Sequence, residues 1–60
     1  MVAHFDNANL KFWFINGNCR NIPNVVEIER QGDSMLVLTS DDCTYIINFS
    51  NVTLIEEVVS

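Results

Sequence analysis

Sixty residues allow one small domain and no more. Hydrophobic residues make up 48% of them and charged residues only 18%, so the chain has material for a core and is not a disordered acidic tail. The formal charge is −5, with Lys11, Arg20 and Arg30 the only basic residues; three scattered cations cannot neutralise a row of phosphates, which argues against direct nucleic-acid binding and against docking on an anionic membrane.

The first residues, Met1 to Asp6, lack a basic stretch followed by an apolar one, and no apolar run reaches the length of a membrane span. The expected location is the cytoplasm. There Cys19 and Cys43 read as reduced thiols packed as small apolar side chains, although a disulfide could join them if they faced each other on neighbouring strands. His4 is the only imidazole, too few ligands for zinc, and no cofactor is expected. A domain of this size buries only about 60% of its unfolded surface, and self-association is a common remedy.

Residues 1–8 are mixed and short: a loosely ordered lead-in, one helical turn, or the start of a strand. Asp6 to Asn9 has turn chemistry, because Asp and Asn side chains bond their own backbone. Leu10 to Ile15 reads as the first strand, rich in aromatic and β-branched residues. Leu10, Phe12 and Phe14 share one face; Lys11, Trp13 and Ile15 share the other. Asn16-Gly17 signals a two-residue hairpin turn with both residues at positive φ. Asn18 to Ile22 returns as a weaker strand that Pro23 ends or places on an edge.

Val25 to Arg30 is a third strand, with Val26 and Ile28 facing a core and Glu27 and Glu29 facing water. Gln31 to Asp33 turns into Met35 to Thr39, an almost unbroken apolar strand. Ser40 to Asp42 turns again into Thr44 to Phe49, and Ser50-Asn51 is a polar corner. Val52 to Val59 closes the chain, its β-branched residues favouring strand over helix. A faint repeat, Asn-Val-x-x-Ile-Glu, recurs at Asn24 to Glu29 and Asn51 to Glu56. It fits two hairpins, each turning a corner at Asn-Val, or coincidence in a chain rich in these residues.

Together these signals predict an all-β domain spanning residues 1–60: a small antiparallel meander of five to six strands curling into an SH3-like barrel or a compact sandwich. Several strands are apolar on both faces, whereas a small barrel has one interior. Trp13 or Ile15, Leu36 or Val37, and Ile46 should then stand outside, and exposed apolar patches mark interaction sites.

No catalytic constellation is legible. His4 lies near the terminus, with no third group to orient a Cys–His pair. The carboxylate pairs Glu27/Glu29, Asp41/Asp42 and Glu56/Glu57 read as solubilising charges and edge guards, and the acidic turns lack calcium-loop spacing. The expectation is a small acidic non-enzymatic interaction module that binds another protein or itself as a homodimer. Its expected contacts are Lys11, Trp13 and Ile15 on one strand face and Glu27 and Glu29 on another. The alternative is an acidic inhibitor whose carboxylates stand in for phosphates on a basic protein partner. The size, acidity and Asn- and Ile-rich composition resemble those of small bacterial, phage or mobile-element proteins; no motif carries that likeness.

Overall fold

The computed structural model describes residues 1–59. Five strands, β1 (Val2–Phe14), β2 (Cys19–Gln31), β3 (Ser34–Thr39), β4 (Thr44–Asn48) and β5 (Val52–Glu57), form one antiparallel sheet in the order β4-β3-β2-β1-β5. The first four follow one another as hairpins. After β4 a 3-10 turn, Phe49–Asn51, redirects the chain so that β5 pairs with β1. The meander is therefore present, with five strands, and the barrel is not closed: β4 and β5 remain the two ends of the sheet.

Five strands is the lower of the expected five to six, because two segments with turn chemistry are bends inside long strands and the one at Pro23-Asn24 joins two of the expected strands. Pro23-Asn24 does not end a strand; β2 runs through it. Asn24 sits at φ +59°, in the left-handed region that Asn tolerates better than most residues, and the pairing with β1 slips there. Asp6 to Asn9 is likewise no turn. Asn7, at φ +50°, marks a bulge in β1, and residues 2–8 belong to that strand rather than to a loose lead-in.

Each bulge breaks the two-residue alternation and reverses which parity faces inward. Phe5 packs on the core before the Asn7 bulge; Ala8, Leu10 and Phe12 are buried after it. In β2, Ile22 and then Val25 are buried, so Val25, not Val26, takes the deep position. The bends fold the sheet on itself. The far half of β1, the near half of β2 and β5 pack over the rest of β2, β3 and β4, with Phe12, Ile22, Val25 and Val37 at the centre, each almost fully buried.

The turns match the residues in them. The first hairpin has a three-residue loop: Gly17 N–H donates to the Phe14 carbonyl, Phe14 N–H donates to Asn18 O, and only Gly17 is at positive φ (+85°). It is thus the type with a left-handed third residue, not the two-residue turn that Asn-Gly suggested. The β3–β4 hairpin repeats the pattern, with Asp42 N–H donating to Thr39 O and Asp42 at φ +65°. Thr39 is a buried polar residue, and its hydroxyl is satisfied: it donates to the Asp41 carboxylate and accepts from Cys43 N–H. The two Asn-Val steps of the faint repeat are both corners. The Asn24 carbonyl accepts Ser40 N–H, the Asn51 carbonyl accepts Ile15 N–H, and the valine after each turns toward the core.

Candidate protein-interaction surface

The outer face of β1 holds two of the expected contact residues together. Lys11 Nζ lies 4.7 Å from the centre of the Trp13 ring, and Trp13 Nε1 donates to Glu56 Oε1 across the β1–β5 pair. The indole is half-buried and its N–H is already used within the chain. Ile15 stands apart from this pair, past the end of β1, and is 67% exposed. Glu27 and Glu29 share the outer face of β2, where Glu27 faces His4 (Nδ1 to Oε1 3.6 Å) and Glu29 accepts from Gln31. The structure thus brings Lys11 to Trp13, keeps the two glutamates on one face, and places Ile15 elsewhere.

Ile15 belongs to a different feature. An open groove of about 550 Å³ runs between β4 and the tip of the β1–β2 hairpin, where the barrel fails to close. Phe14, Ile15, Ile22, Tyr45, Ile46 and Ile47 give it apolar walls. Arg20 is the one charged residue of the lining, with its guanidinium 5.2 Å from the centre of the Tyr45 ring. The other cations behave alike: Lys11 covers Trp13, and Arg30 lies 3.8 Å from the centre of the Phe49 ring. Such contacts take up the cations without neutralising the carboxylates.

β4 forms one wall of the groove, and its far edge has no partner strand among the described residues. Thr39 N–H donates to Cys43 O at one end of the β3–β4 ladder, and Phe49 N–H donates to Asp33 O at the other. Antiparallel pairs alternate between bonded and unbonded positions. Between those ends, Tyr45 and Ile47 therefore bond to Val37 and Met35, which they face in register. The backbone groups of Thr44, Ile46 and Asn48 then point away from the sheet. Edges of this kind are normally protected by charge, proline or a bulge; Thr44 to Asn48 has none of the three. Ile46 is 73% exposed on this edge.

A row of side chains leads across the outer face to Ile46. Val2 is opposite Glu29, Glu29 opposite Leu36, and Leu36 opposite Ile46. Of the residues expected outside, Ile15 and Ile46 are exposed, Trp13 and Leu36 are half-buried, and Val37 is buried. What the sequence did not reveal is that β4 is an edge, because strand order is not legible in periodicity.

Cys19 and Cys43 are both exposed and unpaired, not packed as small apolar side chains. Among the described residues no three His, Cys, Asp or Glu side chains gather as a metal set, and no helix is long and apolar enough to cross a membrane. The turn carboxylates are dispersed, whereas Glu27 and Glu29 share one face. Asp33 lies in the turn at one end of β3, Asp41 and Asp42 in the turn at the other, about 20 Å away along a six-residue strand. No family model, curated protein or solved structure matches the chain.

Proposed function

We propose that this chain is a small, acidic, non-enzymatic interaction module and that its contact site is the β4 edge with the groove beside it. The observation that carries the reading is the unguarded edge Thr44 to Asn48, with three sets of outward backbone groups and an exposed Ile46. Backbone pairing gives such an edge its affinity, and the flanking apolar groove selects the side chains that follow. This places Ile15 in the site, by way of the groove. Lys11 and Trp13 stand outside it, since their polar and aromatic groups are satisfied within the chain, and Glu27 and Glu29 border the outer face that leads to it. The reading of the chain as a mimic of nucleic acid would rest on Glu27 and Glu29, which share one face; the turn carboxylates Asp33, Asp41 and Asp42 lie at opposite ends of β3.

The test compares three immobilised forms, wild type, Ile46→Lys and Trp13→Ala, against an extract of the producing cells and against a tagged second copy of the chain. Proteins held by wild type and Trp13→Ala but released by Ile46→Lys are the expected result. Release by Trp13→Ala alone would move the site to the β1 face. If no form held anything, the second copy included, the module reading would fail.

A further inference from the structure

We infer that the occupant of the β4 edge is a second copy of this chain, paired with it antiparallel about a twofold axis at Ile46. This rests on the reading of β4 as the contact edge and adds what fills it. The outward backbone groups sit at Thr44, Ile46 and Asn48, spaced evenly about Ile46. A second copy in antiparallel register on that residue sets Ile46 against Ile46 and Thr44 against Asn48, and each outward N–H and C=O then finds a partner. No other register within β4 matches all three positions.

The side chains favour the same register. Ile46 ends the row Val2–Glu29–Leu36–Ile46. The twofold axis continues that row into its own mirror order, so that Leu36 and Ile46 of one copy meet Ile46 and Leu36 of the other in an uninterrupted apolar strip. Ile46 would lose most of its present exposure, which is the largest of any apolar residue within a paired strand.

Charge decides between this edge and the others. Two chains of −5 repel, so a self-contact must use an uncharged border. β5 carries Glu56 and Glu57, and the free first stretch of β1 runs into Asp6. Residues Thr44 to Asn48 carry no charge. In the proposed dimer the nearest acidic residue of the central row is Glu29, two strands in. It lies five strand spacings from its counterpart, about 24 Å, well beyond the screening length of about 8 Å at physiological salt. The acidic turn Asp41-Asp42 falls opposite the uncharged Ser50 and Asn51 of the other copy, with Asp33 of that copy one strand farther in, about 10 Å away and just beyond the screening length. A twofold contact uses the edge up on both sides, so assembly stops at two chains.

The experiment is the solution mass across a concentration series, with amide hydrogen exchange on the same samples. The mass should rise toward twice the 6.9 kDa of one chain, and protection at Thr44, Ile46 and Asn48 should rise with it. Ile46→Lys, whose new side chain replaces an exposed one, should keep the near-ultraviolet circular dichroism of the fold. It should raise the dissociation constant about tenfold or more, because like charges directly opposite each other destabilise a strand pair. A single-chain mass at every concentration would overturn the inference. So would a dimer indifferent to folded Ile46→Lys, a mass that grows beyond two chains, or protection appearing on β5 instead. A wild type that stays single yet holds a different protein, released by Ile46→Lys, would remove the second copy and leave the edge reading intact.

Discussion

Asp42 occupies a left-handed conformation that costs an L side chain about 1–2 kcal/mol when nothing compensates it. Among the described residues its side chain has no hydrogen-bond partner of the kind that Asp41 has in Thr39. Gly17 holds the matching place in the first hairpin, at a similar φ. Asp42→Gly is therefore expected to stabilise the fold by about 0.5–1 kcal/mol. Thermal unfolding should show a midpoint a few degrees higher, since about 1 kcal/mol moves a domain of this size by about 4–8 °C. The opposite position is Phe12, fully buried at the centre of the core. Phe12→Ala removes about 3–5 kcal/mol, comparable to all that a core this small supplies. That variant should lack a cooperative urea transition. Between them stands the Trp13–Glu56 contact, which is exposed. Glu56→Gln should cost less than about 1 kcal/mol while shifting the indole fluorescence.

At the scale of elements, the strands were legible because burial imposes a two-residue period, and each expected strand contributes to the sheet. The errors share one cause. Asn and Asp signal a backbone that tolerates positive φ, and that signal serves a hairpin turn and a bulge equally well. Asn7 and Asn24 make bulges, whereas Asp42 makes a turn; only the partner strand opposite them decides which. The same blindness affected the site. Exposed Ile15 and Ile46 could be anticipated from strands apolar on both faces, but the groove that joins them depends on how far the bulges bend β1 and β2. At Asn24, Gly should be tolerated, and Ala should lower stability by about 1 kcal/mol because its Cβ resists the left-handed region. Equal urea midpoints for Asn24→Gly and Asn24→Ala would show that this corner carries no strain.

For the whole molecule, the relevant contrast is between a surface of net charge −5 and a contact edge with none. The charge keeps copies apart everywhere except where the edge is bare. Contact through β4 should therefore change little between low and high salt, or strengthen slightly as general repulsion is screened. Binding steered by carboxylates toward a basic partner would weaken steeply over the same range. Sedimentation of the chain in a salt series separates the two.

The return of β5 to β1 also orders events in time. β1 to β4 can assemble from hairpins that are neighbours along the chain, but Trp13 must wait for Leu54 to close some forty residues of loop. β5 is thus expected to be the last strand to arrive and the first to leave, pivoting at the short 3-10 turn Phe49–Asn51, and its amides should exchange ahead of those of β2. Whenever it leaves, Leu10 to Phe14, the most aromatic strand segment of the chain, becomes an open edge for as long as the strand is away. In a crowded cell the lifetime of this protein would then be governed by how often its final six-residue strand lets go.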